Sequence, residues 1–116
     1  MMKLAVSPEA INDIGEIKKY IRDELSNPKA ANRIANMIKD SYKSLKQTPY
    51  IGRELSGYIS VDTDYLFLVC ENYYIFYKLE EDTIRIYRVI DGRRDFCRIL
   101  FGIDLIDVII EDIKKD

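Results

Sequence analysis

The residues best suited to chemistry crowd near the end of the chain. The stretch RIYRVIDGRRDFCRIL, residues 85–100, holds Arg85, Arg88, Arg93, Arg94 and Arg98 within sixteen positions. A guanidinium is planar, permanently charged and forked, so it can grip a phosphate or a carboxylate through two parallel hydrogen bonds. Where a reaction builds negative charge on phosphate oxygens, a preorganised guanidinium stabilises it, but it cannot be the base because it keeps its proton. The chain has no histidine, which removes the usual base near neutral pH and the commonest metal ligand. Any catalysis therefore falls to Arg, Lys, Tyr, Asp or Glu. Arg94 and Arg93, in the turn GRRD, form the candidate phosphate-facing pair. The competing reading is a structural turn in which Asp95 pairs with one of them.

A second basic group lies earlier. Residues 28–56 sum to +4, six basic side chains against two acidic, in a chain whose net charge is -2. Lys39, Lys43 and Lys46 recur at helical spacing, a stripe that can follow a phosphate backbone as an RNA contact or form a solvated helix face. Arg53, after PYIG, joins Arg94 and Arg93 as a candidate catalytic cation. If residues 28–56 and 85–103 converge in space, an acidic protein carries a basic face for nucleic acid or an acidic partner. Arg85 and Arg88 are three positions apart in a strand and are expected on opposite faces. Arg88 shares the parity of Ile84, Ile86 and Ile90 and is the candidate partner-binding arginine. Arg85 reads as a solvated or cross-strand charge.

Other side chains read as structural. Tyr73, Tyr74 and Tyr77 flank Phe76 in one strand and fit sheet core better than base stacking. Glu80, Glu81 and Asp82 read as a hairpin turn, not an acid/base pair. Cys70 and Cys97 lie 27 positions apart without CxxC spacing, so no metal site and no dithiol are expected, and no cofactor is implied. Two structural thiols fit a reducing, cytoplasmic compartment. MMKLAVSPEA lacks the apolar run of a signal peptide, and no stretch approaches the ~18 apolar residues of a membrane span, so no membrane association is expected.

Positioning these residues requires few elements. A length of 116 residues suits one domain, 1–116, around a single core. Lys3 to Val6 predicts a short strand. Ser7-Pro8 then supplies a helix cap with proline where its missing N–H costs nothing. Ile14, Ile17, Ile21 and Leu25 form one apolar stripe. Asn27-Pro28 repeats the cap signal, Ala31, Ile34, Ile38, Tyr42 and Leu45 share a face, and Thr48-Pro49 with Gly52 ends the second helix. YLFLVC, YYIFYKL and TIRIYRVI, separated by short polar turns, predict an antiparallel meander. Both faces of these strands are apolar, so one packs on the helical hairpin and the other needs cover. FGIDLIDVIIEDIKKD can supply it as a terminal helix, or as a strand through DVII. The sum is an α+β fold: N-terminal strand, antiparallel helical hairpin, a three- to four-stranded antiparallel sheet and a short C-terminal helix.

Four landmarks, the opening strand with SPEA, the hairpin ending in TPYIGREL, the strand NYYIFYKL and the segment IYRVIDGRRDFCRIL, cover residues 3 to 102. In order and spacing they resemble the RelE/ParE toxins of type II toxin–antitoxin (plasmid stabilisation) modules. The resemblance implies a small toxin neutralised by a cognate antitoxin that wraps around it. It further implies either a metal-independent endoribonuclease cleaving mRNA in the ribosome, which inhibits translation, or a non-catalytic inhibitor of DNA gyrase. An inactive antitoxin-binding relative is the third possibility. Arg94 matches the family arginine after the last long strand. Leu100 stands where many nuclease relatives have tyrosine, and Leu66, in DYLFLVCENY, where many relatives of the DYxFLVxxNY type have arginine. The first expectation is the nuclease, with Arg94, Arg93 and Arg53 on the phosphate.

Overall fold

The computed structural model describes residues 2–102. Strand β1 (Lys3–Val6) leads into helix α1 (Pro8–Lys19), which continues as a π-helical turn over Tyr20–Glu24. Helix α2 (Pro28–Lys43) ends in a 3-10 turn, Ser44–Lys46. The strands β2 (Arg53–Glu54), β3 (Leu66–Cys70), β4 (Tyr73–Glu80) and β5 (Thr83–Asp91) follow, then helix α3 (Phe96–Phe101). Five strands form one sheet in the order β1-β5-β4-β3-β2. β1 runs parallel to β5 and the other neighbours are antiparallel.

Both helix starts form as their sequences predict. Ser7 Oγ accepts the Ala10 N–H at 3.0 Å and Asn27 Oδ1 accepts that of Ala30 at 3.1 Å, each satisfying an amide that has no partner within its own helix. The stripe on α1 holds for Ile14 and Ile21, which are buried, but Leu25 is 57% exposed. The π turn is the reason: a wider turn rotates the positions after it off the 3.6-residue stripe.

The sheet has two apolar faces, as its composition requires. On one, Ile75, Tyr77, Ile84, Ile86 and Val89 pack with Ala10, Ile14, Ile34, Ile38 and Leu45 of the helical hairpin. On the other, Phe67, Phe76 and Ile90 meet Leu55, with Tyr65, Tyr74, Phe96, Ile99 and Leu100 around them. Cover for this second face comes, among the described residues, from α3 and the loop before β3. The expected helix or strand beyond Gly102 lies outside the described residues. Leu66 packs on the first cluster and Leu100 on the second.

The strand parity of β5 departs from expectation. Phe76 pairs with Arg88 while Tyr77 pairs with Ile86, so Tyr87 is an extra residue, a bulge that resets the alternation. Ile84 and Ile86 face the helices, whereas Arg88 and Ile90 share the face of Phe76 and Tyr74. Arg85, opposite Lys78, therefore lies on the same face as Arg88, not the other one. Its guanidinium pairs with Glu80 at 3.0 Å, and the Tyr87 hydroxyl donates to the same carboxylate at 2.5 Å. That hydrogen bond pushes the Tyr87 phenol up to about 12.

The segment after α2 is fastened through one side chain. Tyr77, fully buried, donates its hydroxyl proton to the Pro49 carbonyl and accepts the Gly52 N–H, both at 3.0 Å. Burial raises its pKa, consistent with a neutral phenol in that role. A Cβ on Gly52 would overlap the Tyr77 hydroxyl and come within 2.8 Å of its ring. Gly52→Ala is therefore expected to destabilise the fold by roughly 1–3 kcal/mol through overpacking, read as a lower urea midpoint. Gly57→Ala, where the added methyl meets nothing within 4 Å, is the matched control.

Candidate functional site

β1 spans only half of β5, and the rest of that edge decides how the site is built. The parallel ladder ends at Val6–Ile86. Beyond it, the Ser7 N–H donates to the Ile86 carbonyl at 2.9 Å and Ser7 Oγ donates to that of Tyr87 at 2.7 Å. Next, Asp13 on α1 takes the place of a strand: its Oδ2 accepts the Val89 N–H at 2.9 Å. The same carboxylate receives Arg88 in a bidentate pair, Nε to Oδ2 at 2.7 Å and Nη2 to Oδ1 at 2.8 Å. Asp13 is 10% exposed and Arg88 28%, so salt screens this pair less than a surface ion pair. The hydrogen bond that Arg88 donates to Asp13 raises the Arg88 pKa, against the lowering effect of burial. Arg88, expected to await a partner's carboxylate, is already engaged within its own chain.

α1 stands off from the β5 edge and leaves a groove of about 940 Å³. Ile17, Tyr20 and Leu25 give it apolar lining, and the tip of the β3–β4 hairpin and the GRRD turn also contribute to its wall. Arg33, Arg88, Arg93 and Arg94 all line it. So do Asp13, Glu16, Glu71 and Asp91, which makes the wall charged in both senses rather than purely basic.

Within the GRRD turn, the pairing acid is Asp91, not Asp95. Arg93 Nε and Nη2 reach Asp91 Oδ1 and Oδ2 at 3.0 and 2.7 Å, and the Arg93 amide donates to Oδ1 at 2.9 Å. This holds the Asp91 carboxyl below its ordinary range, against the upward effect of burial. Asp95 instead caps α3, accepting the Arg98 N–H at 3.2 Å. Arg93 is pinned yet 81% exposed. Arg94 is exposed, its amide bound to the Asp91 carbonyl at 3.0 Å, and its guanidinium has no ion pair or side-chain hydrogen bond among the described residues.

The structure gathers Arg88, Arg93 and Arg94 and leaves the other candidates elsewhere. Arg53 is paired with Phe67, which is paired with Phe76 and so with Arg88. Three strand spacings, about 14 Å, separate its backbone from β5, and it does not join Arg93 and Arg94. Lys39, Lys43 and Lys46 are exposed on α2 and the turn after it, away from the groove lining. Among the described residues, Arg33 is the one basic side chain of residues 28–56 that lines the groove with Arg88, Arg93 and Arg94. Residue reasoning overlooked Asp13, Asp91 and Arg33. Asp91 was findable, two positions before Arg93 across a tight turn, while Asp13 is one of several acids on α1.

A strand, a helical hairpin, a meander and a short helix make up an α+β fold with an arginine turn beside a groove. The chain belongs to the ParE toxin family of the type II toxin–antitoxin system parDE, which matches residues 4–96. Membership implies an antitoxin partner. Among solved structures, a chain of the chromosomal ParDE TA system from P. aeruginosa is similar, with a TM-score of 0.65 and 20% identity. The similarity covers 78% of this chain and 96% of that one, and at that identity it speaks to fold. No curated protein matches the sequence. No described helix is long and apolar enough to cross a membrane.

Removing the Asp13 carboxylate strands a half-buried guanidinium and a strand amide together. Asp13→Ala is expected to cost about 2–4 kcal/mol, measured by urea unfolding. Asp91 provides a pH test. Its folded pKa is depressed, so its contribution is present above the unfolded value near ~4 and lost as pH falls through the folded value. Asp91→Asn should flatten the acid limb of the stability–pH curve relative to wild type.

Proposed function

We propose that this protein is a type II toxin that acts by binding its target rather than by cleaving RNA, with DNA gyrase as the target and an antitoxin as its neutralising partner. The observation that carries this reading is the dispersal of the cations a nuclease would need. Stabilising a scissile phosphate requires donors converging within hydrogen-bond reach of one point. Here Arg53 stands on the far side of the sheet from β5, and Arg93 is committed to Asp91. Leu100, where many nuclease relatives carry tyrosine, and Leu66, where many relatives of the DYxFLVxxNY type carry arginine, are part of the apolar packing. One feature favours the nuclease as second reading: the exposed Arg94 guanidinium beside a groove.

The target is decided by two readouts from one induction of the chain without antitoxin. Growth should stop, purified toxin should inhibit supercoiling by gyrase, and translated messages should keep their native 5′ ends. New 5′ ends within translated messages, with supercoiling untouched, would instead establish the nuclease and make Arg94 its first residue to test.

A further inference from the structure

Between the two backbone groups that Tyr77 grips, the Pro49 carbonyl and the Gly52 amide, lie only Tyr50 and Ile51. Their exposures are 79% and 63%. The turn is closed again by the Ile51 N–H on the Thr48 carbonyl at 3.2 Å. Two large apolar side chains are thus held outward in water by a backbone fastened to the core on both sides of them. Left free, such a segment would fold its apolar groups back onto the protein. The ordering that binding normally costs is already built in.

We propose that Tyr50 and Ile51 form a preformed anchor that enters an apolar, acid-rimmed pocket on the toxin's protein target. This rests on the binding reading of function given above. Charge supports the rim: Lys43 and Lys46 precede the turn and Arg53 follows it, all exposed, within the segment that sums to +4. Complementary charge around an apolar anchor steers approach and fixes register. The pairing of residues selects protein over nucleic acid. A tyrosine can stack on a base, but isoleucine has no aromatic face to offer one, whereas aromatic and aliphatic anchors together suit a protein pocket. The anchor is also separate from the groove. Tyr77 pairs with Leu66 and Ile86, while the groove is lined by Tyr73 and Asp91 at the other end of the sheet, four strand residues and about 13 Å away.

The test is induction of the full chain carrying Tyr50→Ser and Ile51→Ser, singly and together, at matched soluble levels. Both sites are exposed, so unfolding midpoints should stay within error of wild type. The double variant should need on the order of 30-fold more protein to arrest growth, the effect of losing one binding hot spot. Each single variant should be impaired, and Tyr50→Phe should remain fully toxic. Undiminished arrest by the well-folded double variant would overturn the proposal. Loss with Tyr50→Ser alone, and none with Ile51→Ser, would overturn it in favour of base stacking. Target identity is judged separately. Arrest by wild type with gyrase supercoiling untouched removes gyrase, yet the same variant comparison still decides the anchor. Failure of the wild-type chain to arrest growth would overturn both.

Discussion

Strand β5 sets the problem that the rest of the described structure solves. It is buried on both faces and bounded by β4 on one side, yet its other side is paired for only four residues, Lys3–Val6 of β1. A buried strand edge with open amides and carbonyls is costly, and the sequence closes it with side chains. Ser7 caps α1 and binds the Tyr87 carbonyl through the same oxygen. Asp13, on the second turn of that helix, receives the Val89 amide and the Arg88 guanidinium. A short first strand thereby fixes where α1 lies, how far it stands from the sheet, and that a groove runs between them.

The bulge at Tyr87 belongs to the same solution. By adding a residue to β5 it brings Arg88 onto the face of Phe76, from where the side chain meets Asp13. It then returns Val89 to the helix-facing core and Ile90 to the aromatic one. The strand consequently delivers Asp91 and the GRRD turn to the groove with Arg93 clamped and Arg94 free of side-chain partners among the described residues. At the opposite end of the sheet, Tyr77 fastens the turn that presents Tyr50 and Ile51. Two candidate recognition surfaces are therefore built from one sheet, one charged and concave, one apolar and protruding. Both are surfaces of the kind that the binding mode proposed above would use.

Much of this was legible in the residues. Both cap-plus-proline signals, the faces of the hairpin, the meander and the two-sided burial of the strands follow from periodicity and turn chemistry. The GRRD arginines were rightly placed together at the end of the last strand, whereas their acid was misassigned, because Asp91 and Asp95 flank them in sequence and only the α3 cap separates their roles. The error in β5 has one origin: a bulge leaves no mark in a pattern of alternating isoleucines, so parity puts Arg88 on the face of Ile84 and Ile86, whereas Arg85 lies opposite them as expected. Leu25 strayed for a related reason, since a π turn adds a residue that apolar spacing does not announce. Arg53 was grouped with Arg93 and Arg94 by charge alone, and strand order, which sets the distance between them, is a long-range property.

The amide of Val89 is the most direct reporter of this account, since Asp13, not a strand, is its partner. Hydrogen exchange of the full chain should find Val89 protected like Ile90, its neighbour within the sheet, opening only on global unfolding. The Asp13→Ala variant should lose that protection at Val89 first. Fast exchange at Val89 in the wild-type chain, with Ile90 protected, would mean that the edge is open in solution and that the Asp13 clasp does not hold the architecture together.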